Sequence, residues 1–302
     1  MSNIVTVIGS TGNVGHALVE NLLKNGVTVR AVGRSKDKLV TLGQQGADIR
    51  SGSLDDVGFV TDALRGADAA FLMIPPHYNA PDMRADQRRL GANLIEAVKT
   101  SGIKRVVVLS SLGAELSTGT GPILGLHEFE NAVRSVVGLS AVILRAAYFM
   151  ENQLGSIALI KHAGINGSAM RADTRLPMVA TRDIARVAAE TLSAPTFTGV
   201  SVREVLGPRD YSMQEATAIL GAAIGKPELA YVQFSDDDFK KGLADAGFSA
   251  DVARNFVEMN AAFNAGIIRY TPPLNPTHTS ATNLEQFARD VFAPAYQQAQ
   301  LH

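Results

Sequence analysis

Three glycines near the amino terminus have the spacing of a phosphate-binding turn. Gly9, Gly12 and Gly15 follow the apolar run Ile4–Ile8 and precede a segment with helical spacing of leucines. In a strand–turn–helix unit the first glycine permits the tight turn, the second lets the backbone approach a pyrophosphate, and the third allows close helix packing. The free N–H groups at the start of the helix attract phosphate oxygens. We therefore expect a dinucleotide-binding loop made of Gly9, Ser10, Thr11, Gly12, Asn13 and Val14.

The end of the second apolar run indicates which dinucleotide the loop would hold. A site selective for NADH places Asp or Glu there to bind the ribose 2′-hydroxyl, whereas this chain has Val32, Gly33 and Arg34. A guanidinium cannot accept that hydrogen bond, but it pairs well with a 2′-phosphate. Ser35 and Lys38 add a hydroxyl and a second cation. We predict NADPH rather than NADH; the alternative is that Arg34 is an ordinary surface arginine.

The elements around this loop alternate between strands and helices through the first half of the chain. Continuous apolar runs, rather than alternating ones, are typical of parallel strands buried on both faces. Helices at this spacing imply right-handed crossovers and a doubly wound α/β fold of the Rossmann type. The predicted strands are Ile4–Ile8, Thr28–Val32, Ala69–Ile74, Val106–Leu109 and Ala141–Leu144. The predicted helices are Gly15–Asn25, Ser35–Gly43, Val57–Leu64, Arg84–Thr100 and Glu128–Val137.

The second half has a less regular pattern and predicts a smaller, mostly helical part. Ser212 followed by Glu215 is a capping-box pattern at the start of a helix. We divide the chain into a dinucleotide-binding Rossmann domain over residues 1–153 and a substrate-binding part over residues 154–302, with about 177–206 returning to the Rossmann core. The predicted elements here are helices at Arg182–Ser193, Ser212–Gly225, Asp236–Ala246 and Asp251–Gly266, and strands at Gly199–Leu206 and Leu229–Phe234.

Composition excludes several classes of protein. Lys plus Arg total 28 against 29 for Asp plus Glu, a net charge of −1, which disfavours a nucleic-acid partner. The chain has no cysteine, which excludes disulfides, thiolate metal sites and cysteine nucleophiles. No apolar run approaches the about 18 residues of a membrane helix, and the first residues lack the pattern of a secretory signal. We expect a soluble, cytoplasmic protein, monomeric or homodimeric, with no membrane association and no metal site.

Several further segments, together with the G-x-x-G-x-x-G loop, resemble one branch of the extended short-chain dehydrogenases/reductases. This branch is the NmrA-like family, which includes NADPH-dependent quinone reductases, triphenylmethane reductases and redox-sensing regulators. The resemblance covers most of residues 1–194 and is loose beyond them. The segments that carry it are Gly33–Ser35, Gly52–Asp55, Phe71–Pro76, Leu109–Ser111, Leu144–Asn152 and Arg182–Ala185.

The resemblance implies further cofactor contacts. Ser53 and Leu54 are expected near the adenine, although the family often has Asp where Ser53 stands. Met73, Ile74 and Pro75 are expected on the ribose and nicotinamide side, and ordinary strand-end packing is the alternative for Ile74 and Pro75. Ser110 is also expected to contact the cofactor.

The acid of ordinary short-chain dehydrogenases is missing. Those enzymes use Tyr-x-x-x-Lys, in which the lysine lowers the tyrosine pKa so that the hydroxyl exchanges a proton with a carbonyl oxygen. Here the tyrosine position falls on Ile123, the lysine position on His127, and the usual serine position on Leu112. This argues for hydride transfer to a conjugated acceptor that needs no strong acid. His127 is a candidate catalytic residue that orients the nicotinamide ribose or the acceptor, or a helix-start histidine that meets a backbone group.

The acceptor side is expected at the end of the strand Ala141–Leu144, where open α/β sheets bind ligands. By the resemblance, the segment after it lines the acceptor pocket. Tyr148 is the second catalytic candidate, and core packing is the alternative for Phe149. The remaining predicted substrate contacts are His77, Tyr78, Phe149, Met150 and Asn152.

Two functions are the main alternatives that remain open from the sequence, beside another NAD(P)-dependent reaction such as reduction of an imine or of an ether-linked aromatic compound. The first is an NADPH-dependent reductase of a quinone or a similar conjugated aromatic compound. The second is a non-enzymatic NADP(H)-sensing regulatory protein, because a binder that never turns over has no need of the missing acid.

Overall fold

The computed structural model of this chain describes residues 3–193, 195–272 and 278–299. Its strands are β1 (Ile4–Ile8), β2 (Thr28–Gly33), β3 (Asp48–Ser51), β4 (Ala69–Leu72), β5 (Arg105–Ser111), β6 (Ser140–Ala146), β7 (Tyr148–Phe149), β8 (Ile165–Ser168), β9 (Arg175–Val179), β10 (Val200–Val205), β11 (Asp210–Ser212) and β12 (Ala230–Gln233). Its α-helices are α1 (Asn13–Lys24), α2 (Lys36–Gln44), α3 (Val57–Leu64), α4 (Met83–Ser101), α5 (Ile123–Arg134), α6 (Ile157–Ala163), α7 (Thr181–Ser193), α8 (Met213–Ala223), α9 (Asp236–Asp245), α10 (Ala250–Asn264), α11 (Leu284–Phe287) and α12 (Ala293–Gln298). A 3₁₀ segment, Met150–Ser156, precedes α6, and a π-helical segment, Ala288–Phe292, joins α11 to α12.

Seven strands form one parallel sheet in the order β10-β6-β5-β4-β1-β2-β3. The order reverses at β1, because the chain runs outward first through β2 and β3 and then through β4 and β5. Loops on the two sides of this switch point diverge and leave a crevice at the carboxyl ends of the strands. The predicted Rossmann-type fold class is confirmed.

Helices cover both faces of this sheet, which explains its continuous apolar strands. One core cluster includes Leu18 of α1 and Ala188 of α7, while the other includes Leu94 of α4 and Val133 of α5. Val107 of β5 belongs to the first cluster and Val108 to the second, because successive side chains point to opposite faces. The sheet is therefore a rigid middle layer that fixes the loops at its edge.

Element boundaries differ from the prediction at informative places. The strand predicted over Ala69–Ile74 ends at Leu72, and its last two predicted residues enter the loop before Pro75. The helix predicted over Glu128–Val137 instead spans Ile123–Arg134 and starts directly after Pro122, whose fixed φ suits a helix start. The edge strand Asp48–Ser51 was missed because it has a single apolar residue, Ile49.

The later part of the chain contributes to two regions. Strand β10 pairs with β6 at the edge of the main sheet, and α7 packs against α1. The remaining strands form a three-stranded sheet, β11-β9-β7, and a two-stranded sheet, β12-β8, neither of which the sequence predicted as a sheet. A third core cluster, which includes Tyr211 and Phe287, lies beside these small sheets. Ser212 and Glu215 form the predicted capping box. The division of the chain at residue 153 stays a prediction.

None of the helices in the described ranges is long and apolar enough to cross a membrane.

Candidate functional site

The glycine turn between β1 and α1 is packed so tightly that two of its three glycines leave no room for a side chain. Gly9 has a φ of +78°, a left-handed conformation that favours glycine. A Cβ added at Gly15 would lie 2.2 Å from the Gly9 carbonyl oxygen, so the helix rests directly on the turn. A Cβ at Gly12 would touch only that oxygen, at 3.5 Å, so Gly12 faces open space. The turn therefore leaves its backbone open at Gly12, while Gly15 packs against the turn itself and Gly9 packs against the Met73 side chain.

Helix α1 begins without a side-chain cap. Its first helical hydrogen bond is donated by the His16 N–H to the Gly12 carbonyl, at 2.8 Å, and no acidic residue stands in its first turn. The N–H groups of Asn13, Val14 and Gly15 precede that bond and point out of the helix end. By contrast, the side chains of Ser35, Asp56, Asp82, Ser212, Ser235 and Ser249 cap α2, α3, α4, α8, α9 and α10. The start of α1 therefore combines open glycine backbone with uncompensated donors, which fits a pyrophosphate.

Some side chains of the turn are buried and hold the structure together, and others are exposed and free to contact a ligand. Ser10 is fully buried; its hydroxyl donates to the Val7 carbonyl, at 2.8 Å, and accepts from the Val32 N–H, at 3.1 Å. Its hydroxyl therefore fastens the turn to β1 and β2. Thr11 is half-buried beside Gly33, where an added Cβ would lie 3.0 Å from its methyl carbon. Asn13 is exposed at the mouth of the turn.

The three cationic or hydroxyl side chains predicted at the end of β2 lie together. Arg34 is exposed directly after the strand. Ser35 is the N-cap of α2 and accepts from the Lys38 N–H, at 3.4 Å, which leaves the hydroxyl proton able to donate elsewhere. The Lys38 side chain is exposed in the first turn of the same helix. A 2′-phosphate at this place would meet two cations and a hydroxyl.

The loops after β3 and β4 border the same crevice. The Ser53 hydroxyl donates to Asp55, at 3.2 Å, and Leu54 is buried in the same core cluster as Ile74. Met73 leans over the glycine turn, since a Cβ on Gly9 would lie 2.4 Å from its sulfur. Ile74 is buried and Pro75 is half-buried. The burial of Ile74 fits the alternative that this residue only packs at the end of the strand.

Ser110 does not present its hydroxyl to the crevice. It is buried and donates to Glu130, at 2.6 Å. Glu130 is itself buried and also holds the Arg145 guanidinium through two hydrogen bonds, of 3.0 and 2.7 Å. The bond to Glu130 raises the pKa of Arg145, so this arginine stays charged. This network ties β5, β6 and α5 together and does not fit the predicted cofactor contact of Ser110.

The residue at the usual tyrosine position is sealed inside the protein. Ile123 is 4% exposed and belongs to the same cluster as Ala262 of α10. Gly121, two residues before it, lies directly against that helix, where a Cβ would come within 2.0 Å of the Asn255 carbonyl oxygen. Ile123 therefore presents no proton donor to the crevice.

Both ring nitrogens of His127 contact other parts of the protein. Nδ1 lies 2.8 Å from the Ala114 carbonyl oxygen, which can only accept, so Nδ1 carries a proton. Nε2 lies 3.0 Å from the Asn131 amide nitrogen and accepts from it. The ring is thus a neutral tautomer that fixes the loop after β5, in agreement with the backbone-contact alternative.

Tyr148, Phe149 and Asn152 follow β6 at the carboxyl edge of the sheet. The first two side chains are half-buried and the third is exposed. Burial raises the pKa of Tyr148, with the Asn152 side chain acting in the opposite direction. Glu151 anchors the segment, because its carboxylate accepts from the Thr181 N–H at the start of α7, at 3.0 Å. Met150 is fully buried in the third cluster, a placement that does not fit the predicted acceptor contact.

His77 and Tyr78 point to other partners. His77 contacts Arg34 through Nε2, at 3.2 Å, and Asp86 through Nδ1, at 2.8 Å. Tyr78 stacks on Phe248 with ring centroids 4.7 Å apart. His77 therefore lies beside the residue that follows β2, and Tyr78 joins the loop after β4 to the segment between α9 and α10.

Helix α10 supplies side chains that the sequence analysis did not assign to the site. Met259 and Phe263 pack half-buried against the same cluster as Met73, Leu126 and Phe149. Phe263 also meets Tyr148 edge-on, with centroids 6.4 Å apart. Their spacing of four residues marks a buried helix face, but it does not reveal what that face covers. Within the described ranges, no group of three or more acidic or histidine side chains surrounds a possible metal position.

Comparison with known proteins finds relatives that match nearly the whole chain. The chain is 26% identical over 290 residues to the NAD(P)H azoreductase of Xenophilus azovorans, covering 95% of this chain and 97% of the relative. It is 26% identical over 269 residues to quinone oxidoreductase 2 of Escherichia coli, covering 87% and 89%.

Solved structures share the fold. An NADPH-dependent quinone oxidoreductase of Escherichia coli, bound to NADPH, matches with a TM-score of 0.73 at 23% identity over 95% of this chain and 99% of that one. The triphenylmethane reductase of a Citrobacter species, bound to NADP(H), matches with a TM-score of 0.79 at 22% identity over 94% and 99%. The sequence model of the NmrA-like family matches residues 1–288, so this chain belongs to the NmrA-like family.

Proposed function

We propose that this chain is an NADPH-dependent oxidoreductase that transfers hydride to a quinone or a similar conjugated aromatic acceptor. The observation that carries the proposal is the uncapped start of α1 beside the exposed Arg34 at the end of β2. The names of the azoreductase and quinone oxidoreductase relatives support both the cofactor and the class of acceptor.

The N–H donors at the start of α1 and the cationic side chains at the end of β2 bind different phosphate groups of NADPH. The N–H groups of Asn13 and Val14 take the pyrophosphate, because they lie at the positive end of the helix, while the Gly12 N–H already donates to the Gly9 carbonyl, at 3.0 Å. Arg34 takes the 2′-phosphate by a charge-assisted pair, with help from Ser35 and Lys38. Ser53 and Leu54 border the adenine, and Met73 and Pro75 border the ribose and nicotinamide.

The acceptor must be one that needs no strong acid from the protein. Ile123 has no proton to give, and the neutral His127 uses both ring nitrogens for internal hydrogen bonds. NADPH, when bound, supplies the hydride. A quinone spreads the added negative charge over a conjugated system and takes its proton from water, so orientation in the site provides much of the acceleration.

Three side chains after β6 hold the acceptor against the cofactor. Phe149 offers a flat apolar face, and Asn152 offers an exposed amide. Tyr148 keeps its proton because burial raises its pKa, so it acts as a hydrogen-bond donor to an acceptor oxygen and not as a base. His127 keeps the loop after β5 in place behind them.

The proposal is tested by following the absorbance of reduced nicotinamide with purified protein and a panel of quinones and azo dyes. NADPH and NADH are supplied in separate reactions. We expect saturable oxidation that is faster with NADPH and that Arg34→Glu weakens, while Arg65→Glu, the same charge change on the exposed end of α3, has no effect. Tight NADPH binding with no oxidation across the panel contradicts the reductase and favours the non-enzymatic NADP(H) sensor.

A further inference from the structure

We propose that His77 and Asp86 are positioning residues that hold Arg34 for the 2′-phosphate and so determine the preference for NADPH over NADH. The inference rests on the proposed function, because Arg34 is its phosphate ligand. It reassigns His77 from the acceptor to the cofactor.

Arg34, His77 and Asp86 contact one another in series and so connect the loop after β2 with the loop after β4 and with α4. The Arg34 Nη1 lies 3.2 Å from the His77 Nε2, and the His77 Nδ1 lies 2.8 Å from the Asp86 Oδ2. Arginine has only donors, so Nε2 must accept, and the proton of the neutral ring must then be on Nδ1, where it donates to the carboxylate. The Asp86 carboxylate therefore sets the tautomer that lets His77 receive Arg34.

His77 and Asp86, the two residues that support Arg34, are held firmly in place. The His77 and Asp86 side chains are only 22% and 16% exposed, while Arg34 is exposed. Asp86 stands in the first turn of α4, where a carboxylate is stabilised by the helix dipole. Arg89 pairs with both Asp86 and Asp55, which joins the loop after β3 to the same group of charges.

The loop that carries His77 is also held from its other side. The Ser249 N–H donates to the Tyr78 carbonyl, at 2.9 Å, and the Ser249 hydroxyl donates to the Ala80 carbonyl. Tyr78 stacks on Phe248. These contacts fix the backbone next to His77, so the imidazole is a firm support for a long and otherwise mobile arginine.

The position of the contact explains its effect on selectivity. Arg34 follows β2 and His77 follows β4, and β1 with its glycine turn lies between these two strands. The Arg34–His77 contact therefore joins the loops that lie on the two sides of the glycine turn. A preorganised guanidinium loses less conformational entropy when it binds the phosphate. NADH has no 2′-phosphate, so its affinity does not depend on this preorganisation.

Two fragments of the cofactor separate this role from catalysis. Adenosine 2′,5′-bisphosphate and adenosine 5′-diphosphate are titrated calorimetrically into the wild-type chain and its variants, with no acceptor present. We expect His77→Ala to weaken the 2′-phosphorylated fragment about tenfold and to leave adenosine 5′-diphosphate within about twofold. His77→Gln, which can accept from Arg34 and donate to Asp86, restores much of the loss. His162→Ala, on the exposed face of α6, is the matched control and changes neither affinity.

A double-mutant cycle tests whether His77 acts through Arg34. In the Arg34→Ala background, adding His77→Ala should cost nothing further, because the positioned group is already gone. Additive losses overturn the inference, as does an equal loss for both fragments. Thermal unfolding of each variant checks that it folds. If the wild-type chain prefers the 2′-phosphorylated fragment and His77→Ala keeps that preference, the positioning role of His77 is wrong and the proposed function stands. If the wild-type chain has no such preference, the proposed specificity for NADPH is wrong, and the positioning role of His77 is wrong with it.

Discussion

The two ends of the crevice that the proposed function assigns to the phosphates and to the acceptor, here called the phosphate end and the acceptor end, are built in different ways. The phosphate end consists mainly of backbone from one short segment, in which Gly9, Gly12 and Gly15 stand within seven residues. The acceptor end consists of side chains from distant segments, with Phe149 after β6 and Met259 and Phe263 on α10 packed against one cluster. Local sequence therefore determines the first site, whereas tertiary packing determines the second.

The strongest test of the backbone site is Gly15→Val. A Cβ at Gly15 would lie 2.2 Å from the Gly9 carbonyl oxygen, so the turn and α1 must separate and the donors lose their alignment. We expect NADPH affinity to fall by more than about 100-fold, equivalent to about 3 kcal/mol, as measured by calorimetry.

Gly242→Ala is the matched control, because a Cβ there meets nothing within 4 Å and the residue lies inside α9. It should keep NADPH affinity and unfold at the same or a higher temperature, since alanine is the better helix former. Normal NADPH binding by folded Gly15→Val would contradict the assignment of the turn.

Arg34→Glu tests the guanidinium that the proposed function assigns to the 2′-phosphate. Replacing the guanidinium by a carboxylate removes a charge-assisted pair and adds repulsion, so NADPH affinity should fall about 30- to 100-fold, or about 2–3 kcal/mol. NADH affinity should change less than about threefold, because NADH carries no 2′-phosphate. Equal losses for the two nucleotides would mean that Arg34 supports the fold rather than the phosphate.

Phe149→Ala tests the acceptor end separately. Its ring is half-buried, and its loss removes an apolar face without touching the glycine turn. We expect kcat/KM for a quinone to fall about tenfold, in line with the loss of an aromatic contact. The dissociation constant of NADPH should stay within about twofold. A variant that loses cofactor and acceptor equally would show that the two ends are not independent.

Tyr148→Phe is expected to have the smallest effect. Burial raises the pKa of Tyr148, so its hydroxyl stays protonated below about pH 10, the ordinary tyrosine value. The raised pKa moves ionisation of the Tyr148 hydroxyl to higher pH, so this hydrogen-bond donor is present throughout the neutral range. We expect kcat/KM to fall about threefold to fivefold at every pH between about 6 and 10. A loss that varies with pH over this range would show that Tyr148 exchanges a proton.

The sequence predicted the fold class and the geometry of the glycine turn, and both have a local cause, while the phosphate contacts of that turn stay a prediction. The order of apolar runs and helices predicted the parallel sheet, because buried parallel strands require such runs. The glycine spacing predicted an open turn, because the φ of Gly9 and the contact at Gly15 depend on residues within a few positions. The short strand Asp48–Ser51 escaped prediction because it lies at an edge and buries little apolar surface.

Individual side chains were less predictable, because long-range contacts decide where they point. Nothing near Ser110 in the sequence indicates that its hydroxyl meets Glu130, twenty residues away. The contact of His77 with Arg34 joins residues 43 positions apart, across the sheet. The helical spacing of Met259 and Phe263 predicts a covered face, but only the fold brings Phe263 against Tyr148.

In the proposed function, a bound cofactor gives its hydride directly to an acceptor in this crevice. The most direct measurement uses NADPH that carries deuterium on one or the other face of the nicotinamide, in single-turnover reactions with a quinone. A cofactor held in one orientation presents one face, so we predict that only one of the two labelled forms reacts more slowly than unlabelled NADPH. Equal rates for both labelled forms, or no oxidation of protein-bound NADPH, would contradict the account.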